Sequence, residues 1–235
     1  MIQKELRPIV AIVQARLGST RLPLKSLLSL RGLPIIDWVT RRLKASKLID
    51  SILVAVPDTA LDAVIAEHLA SEGIPAFMGS ENDVLDRYAK AAKKVSAKTV
   101  IRVCADNPLI WGEAIDRLIL QFSQTKCDYC YNHIPKNNLW PDGLGAEILS
   151  RELLEEINQN AKTQAQREHC LNYIWDNAER YIIHTFDPEE KWLCRPDIKL
   201  DIDKVEDYQK LALLPVTPSM NAQEIISLVS STCTR

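Results

Sequence analysis

The chain has 235 residues, 46% of them hydrophobic and 26% charged, with 29 Lys and Arg against 31 Asp and Glu. That balance suits one α/β domain with a sizeable core, and a formal net charge of −2 argues against nucleic-acid binding through a broad basic surface. No apolar run approaches the roughly 18 residues needed to span a bilayer, and the opening M-I-Q-K-E-L-R-P lacks a signal-peptide core, so the expected compartment is the cytoplasm.

In chain order, the apolar run Ile9 to Val13 predicts a buried strand that stops at Gln14. A short polar segment follows, holding Ala15, Arg16, Gly18, Ser19, Thr20, Arg21 and Lys25. A buried strand ending in a basic loop with Gly and Ser is how α/β proteins build an anion site. A helix is predicted over 34–46, with Ile35, Ile36, Val39 and Leu43 inward and Arg41, Arg42 and Lys44 in solvent. Residues 52–56 read as a strand, and Thr59 caps a helix over 60–71 that Gly73 closes. A strand at 75–78 leads into G-S-E-N-D-V-L-D-R-Y, which opens a helix to about Val95. A buried strand at 99–103 ends in C-A-D-N-P-L-I. A helix over 112–122 and a strand near 128–132 follow. This alternation predicts βαβ units and a mainly parallel sheet.

The character changes near Ile134, where P-K-N-N-L-W-P-D-G-L-G-A-E is turn-rich around a short strand or hairpin. Helices are predicted near 151–160 and 166–177, strands over 181–186 and 198–202, and helices near 205–213 and 222–230. Residues 134–196 are expected to be an insertion over the sheet, within one domain spanning the chain. The six cysteines (Cys104, Cys127, Cys130, Cys170, Cys194, Cys233) are expected to be free thiols. Cys127 and Cys130 make one C-x-x-C, a redox pair or half a zinc site by spacing, but no second pair follows.

Asp106 lies just past a buried strand, where open α/β sheets bind ligands, and Asn107-Pro108 turns the chain there. Asp201 and Asp203 in I-K-L-D-I-D share one face by strand period. They are either a solvated edge or, if they lie beside Asp106, carboxylates for a divalent metal on substrate phosphates. A basic loop with such a metal equips a protein for substitution at a nucleotide phosphate. Neither a G-x-x-x-x-G-K-[ST] nor a G-x-G-x-x-G is present, which disfavours a P-loop enzyme and a dinucleotide-dependent dehydrogenase.

Q-A-R-L-G-S-T-R-L-P-L-K, G-S-E-N-D-V-L-D-R-Y, A-D-N-P-L-I, P-D-G-L-G-A-E and Q-R-E-H occur in that order. Together they resemble the cytidylyltransferase family that contains the CMP-Kdo and CMP-sialic acid synthetases, and most of all its spore-coat polysaccharide (SpsF) branch. The resemblance covers about residues 8 to 213. It implies a Rossmann-like nucleotide-diphosphosugar-transferase fold, with a mainly parallel mixed sheet flanked by helices and a small insertion serving as lid and dimer contact. It implies transfer of CMP from CTP to a hydroxyl of an acidic sugar, with Mg2+ as cofactor, in a homodimer. By motif, Arg16, Ser19, Arg21 and Lys25 would hold the triphosphate, with Ala15 and Gly18 in the same nucleotide-binding loop. Ser80 and Arg87 would help hold base and ribose, and Asp106 and Asp203 the metal. Asp142, Glu147, Arg167, Glu168 and His169 fall in the acceptor-side motifs, His169 being a candidate general base and Glu147 a hydroxyl-binding group.

Four positions depart from the pattern. Leu24 stands where many relatives have Gly, Met78 where some have a basic residue, Gly145 where members often have Asp, and Leu171-Asn172 where Thr-Pro is common. The phosphate and metal positions survive while the acceptor side drifts. A different acceptor, or a non-catalytic nucleotide- or sugar-binding homologue, is therefore the competing expectation.

Overall fold

A run such as Ile9 to Val13, apolar at every position, can be satisfied only in a strand covered on both faces. In the computed structural model, which describes residues 4–232, it is an interior strand of the sheet, third of seven. The elements are β1 (Ile9–Gln14), a hairpin of β2 (Ser29–Leu30) and β3 (Leu33–Pro34), α1 (Ile35–Leu43), β4 (Ser51–Pro57), α2 (Ala60–Ser71), β5 (Ala76–Gly79), α3 (Val84–Lys94), β6 (Thr99–Cys104) and α4 (Gly112–Gln124). Then come β7 (Tyr129–Tyr131), β8 (Glu147–Ser150), α5 (Arg151–Asn160), α6 (Gln164–Glu168), α7 (Asn172–Asp176), β9 (Ile183–Thr185), α8 (Val205–Leu213) and α9 (Ala222–Thr232).

Seven strands pair in the order β5-β4-β1-β6-β8-β7-β9. The pairings on the β5-to-β6 side are parallel, β8 runs antiparallel to both its neighbours, and β7 and β9 are parallel. The ends of β1, β6 and β7 and the start of β8 therefore meet at one edge, where ligands bind in open α/β sheets. On one face Ile9, Ala11 and Val13 pack with Ile36 and Val39 of α1, Ile65 of α2 and Ile115 of α4. On the other, Val10 and Ile12 pack with Leu85 and Tyr88 of α3, Leu154 of α5 and Ile174 of α7. A third cluster joins Trp38, Trp140, Leu200, Ile202 and Ile225 along the last third of the chain.

Four expectations change. Residues 134–196 do not all lie over the sheet, since β8 and β9 are strands of it. The single helix expected over 166–177 is two, because His169 leaves the helical region and the chain turns Cys170 and Leu171 into the core. Residues 198–202 form no sheet strand, only one bridge between Lys199 and Asp142. Arg42, expected in solvent, is buried: its Nε donates to the carbonyl of Ile110 (2.7 Å) and Nη1 to those of Pro218 (3.0 Å) and Met220 (2.8 Å). Burial lowers its pKa to about 10. The five cysteines among the described residues are free, and Cys233 lies outside them.

Candidate active site

The loop after β1 is shaped from within. Its first turn is held by α2, where Asp62 accepts from the backbone N–H of Leu17 (2.7 Å). Ser26 Oγ donates to the carbonyl of Arg16 (3.2 Å), and Leu24 N–H closes onto that of Leu17 (3.1 Å). Asp62 is itself fixed by Thr59, whose Oγ1 caps α2 and also donates to its carboxylate (2.7 Å). The loop so braced walls a cavity of about 200 Å³ over the ends of β1 and β6. Ala15, Arg16, Ser19, Arg21 and Lys25 line it from the loop, Asp106 from just past β6, and Glu168 and His169 from the end of α6.

Lys25 is the hinge of the site. Its Nζ donates to Asp106 Oδ2 (3.0 Å) and to the carbonyl of Ile202 (2.6 Å), while the Ile202 N–H donates to the carbonyl of Asp106 (2.8 Å). The segment 201–203 is thereby laid beside Asp106, although it is no strand of the sheet. Arg21 pairs with Asp203 (3.0 Å), and Lys199 with Asp201 (3.3 Å), Asp203 (3.1 Å) and Asp207 (3.4 Å). Arg16, exposed at the mouth, has no carboxylate partner among the described residues.

This corner is rich in acid. Burial, with Asp142 next to it, raises Asp201 to about 7, and burial, with Asp203 and Asp106 near, raises Asp142 to about 6. Burial also opposes the Asp203 charge, but Lys199, Arg21 and Lys25 override it and hold its pKa below the ordinary value. Asp201 Oδ1 is buried without a hydrogen-bond partner. Among the described residues no group of three or more His, Cys, Asp or Glu side chains is placed to hold a metal alone. Two carboxylates completed by substrate phosphates is the arrangement magnesium accepts, and the donor set fits it.

Several of the expected ligands make scaffold contacts. Arg87 is fully buried, its Nη1 donating to the carbonyls of Ser80 and, at 3.5 Å, Glu81; its Nε and Nη2 have no partner. Ser80 Oγ accepts from the Asp83 N–H (3.1 Å), so it shapes the turn before α3. Gly18 does not line the cavity. Arg167 ties α6 to Asp83, the cap of α3, through Nε (2.8 Å), and its Nη1 donates to the carbonyl of Asn158 (2.6 Å). Asp142 packs under 199–201 by backbone hydrogen bonds to Ile198 (2.9 Å) and Leu200 (3.0 Å). Glu147 is nearly completely buried, paired with Arg102 opposite it on β6, accepting from Tyr129 Oη and 3.8 Å from His133 Nε2. Burial opposes the Glu147 charge, but Arg102 and His133 override it and hold its pKa below the ordinary range.

Arg102 and Cys104 floor the cavity too, and neither is a site residue by motif. The signal was present: Arg102 is the one charged residue in T-V-I-R-V-C, and a charge inside a buried strand demands a partner or a task. The residue at 145 explains another departure. A Cβ on Gly145 would collide with Asn132 Oδ1 and with its carbonyl oxygen, so no side chain fits there.

A model of the cytidylyltransferase family matches residues 10–226. The spore coat polysaccharide biosynthesis protein SpsF of Bacillus subtilis is 30% identical over 96% of this chain and 95% of its own. A 3-deoxy-manno-octulosonate cytidylyltransferase of Bdellovibrio bacteriovorus is 38% identical over 48% of this chain and 45% of its own. The solved structure of a cytidylyltransferase from Leptospira borgpetersenii superposes with a TM-score of 0.87 at 26% identity, covering 97% of this chain and 95% of the other. The chain belongs to the cytidylyltransferase family.

Proposed function

We propose that this nucleotidyltransferase moves CMP from CTP to a hydroxyl of an acidic sugar, a nonulosonic or ulosonic acid, with magnesium as cofactor and pyrophosphate as second product. The observation that carries the reading is Lys25, which joins the basic loop to both Asp106 and the 201–203 segment. Three loop cations thus stand beside two carboxylates at one sheet edge, the layout a triphosphate and a divalent ion require together.

Arg16, Arg21 and Lys25 would grip the phosphates, and Asp106 and Asp203 would hold the magnesium. The chemistry supplied by a magnesium ion held there would be neutralisation of phosphate oxygens, which would favour departure of pyrophosphate. Catalysis is then mostly positioning and electrostatics, with no covalent nucleophile needed. His169, exposed on the cavity wall, would take the proton of the attacking hydroxyl. The product suits cell-surface polysaccharide synthesis, in keeping with the name of the Bacillus relative.

The filled space at Gly145 favours a variation on this reading, in which the same transfer serves an acceptor other than those of relatives with Asp there. Pyrophosphate release, screened across four nucleotides and a panel of 2-keto sugar acids, tests both. CTP-dependent release is expected, lost in Asp106→Ala and in Asp203→Ala, each by about 10³-fold, the scale of removing a principal electrostatic group. Full activity in both variants overturns the metal assignment, and CTP binding without turnover across the panel makes the chain a binding homologue.

A further inference from the structure

The cavity holds two separate sets of cations. Arg21 and Lys25, from the loop, face Asp203 and Asp106 and belong with phosphates and metal. Arg102 enters from the floor, on the opposite face of β6 from Val103 and on the side covered by α3 and α7. One of its Nη atoms is fixed by Glu147, and that carboxylate is in turn fixed by Tyr129. The guanidinium is therefore held at its position before any ligand arrives. Its Nε is buried and has no hydrogen-bond partner among the described residues. Arg87, on the same side of the sheet, is also buried, with carbonyls as its hydrogen-bond acceptors. Buried N–H groups of a charged side chain without an acceptor are costly and call for one. A metal-bound triphosphate is already matched by the loop, so the floor is free for a second anion.

We infer that Arg102 is a specificity-determining residue that receives the carboxylate of the acceptor, with Glu147 and Tyr129 as its positioning residues. The inference rests on the acidic-acceptor reading above. Planar pairing of guanidinium and carboxylate gives direction as well as charge, which an ammonium would not.

The test removes the buried pair together, as Arg102→Gln with Glu147→Gln, so that neither charge is left alone in the interior. Calorimetry reads CTP binding in the presence of magnesium, and steady-state kinetics compares sugar acids with their carboxamides. Wild-type protein is expected to prefer the acid over the carboxamide by at least tenfold in kcat/KM. The double variant is expected to lose that preference through KM, with CTP affinity kept within about threefold. Arg102→Lys is expected to recover only part of it. A preference that survives in the double variant overturns the assignment, and so does a fall in CTP affinity with acceptor KM unchanged, which would place Arg102 on the nucleotide. Failure of the underlying reading is visible in the wild type alone, as CTP turnover with the carboxamides no worse than with the acids.

Discussion

The two walls of the cavity use the same kinds of residue for opposite ends. On the loop wall, Arg21 pairs with Asp203 and Lys25 with Asp106, and Arg21, Lys25 and Asp106 line the cavity. On the far wall, the charged motif residues have been drawn inward. Glu147 is locked to Arg102 and Tyr129, Arg167 is spent on Asp83, and Arg87 on the carbonyls of its own turn. A pair at the mouth can exchange one partner for a phosphate at small cost, because water shares the load. A buried pair cannot, because breaking it strands a charge in the interior. On the proposed reading the loop wall exchanges its pairs for phosphates and metal, and the far wall is a rigid frame that keeps its own pairs while presenting Arg102 and His169 to the acceptor.

The largest expected effect comes from forcing the far wall to resemble that of other family members. Gly145→Asp would press a side chain against Asn132, whose Oδ1 accepts from the Ala146 N–H (3.0 Å) and whose Nδ2 donates to Ala114 (3.0 Å). A loss of about 3 kcal/mol is expected from overpacking at a backbone contact, read by urea unfolding. A near-neutral result would mean that the β7–β8 crossing is loose and the far wall is no frame.

Arg167→Ala separates scaffold from ligand role directly. Removing its charged hydrogen bonds to Asp83 is expected to cost about 2 kcal/mol of stability, while kcat/KM falls less than tenfold. A large loss of kcat with unchanged stability would instead return Arg167 to the substrate.

Acid sharpens the contrast further. The folded Glu147 pKa lies below its ordinary 4.5 and the folded His133 pKa below its ordinary 6.5. Both groups then favour the folded state above those ordinary values. Below about pH 6.5 the unfolded chain gains a proton at His133 first, and below about 4.5 at Glu147, so stability declines through both windows. Glu147→Gln is expected to start less stable at pH 7 and to lose less between pH 4.5 and 3, measured by denaturation midpoints against pH. Parallel pH curves for the two proteins would show that Glu147 is not held ionised by Arg102.

The contrast also explains what was legible in the sequence. The β1 to α4 units were readable because each strand is apolar and each helix keeps one apolar face, as at Ile36, Val39 and Leu43. The loop cations and Asp106 were readable because a polar group just past a buried strand has few other places to go. The far wall was not. Nothing local separates Glu147 as a ligand from Glu147 as the partner of Arg102, since that depends on antiparallel pairing between residues 45 apart. The break at His169 carries no Gly or Pro; it exists because Cys170 and Leu171 gain burial against the sheet. The stretch 198–202 alternates like a strand because Ile198, Leu200 and Ile202 are buried, yet it packs on the third core without joining the sheet.

The smallest effect is expected on the loop wall, at Leu24. Its backbone is left-handed, with φ 59° and ψ 17°, and its side chain is about half exposed at 48%. An L-residue with a branched side chain is strained there by ~1–2 kcal/mol, whereas glycine is not. The position fits the relatives' preference for Gly, which follows from backbone shape and needs no ligand. The strain is tolerated because the turn is closed by Leu24 N–H on Leu17 and opens the short helical turn that carries Lys25. Leu24→Gly relieves the strain but frees the unfolded chain, a cost of ~0.5–1 kcal/mol, so a net gain of roughly 0.5 kcal/mol is expected. A rise in denaturation midpoint of that order, with CTP affinity unchanged, is the outcome that fits a loop held by its own hydrogen bonds. A fall in CTP affinity would show that Leu24 itself positions Lys25, and the loop wall would then share the rigidity assigned here to the far one.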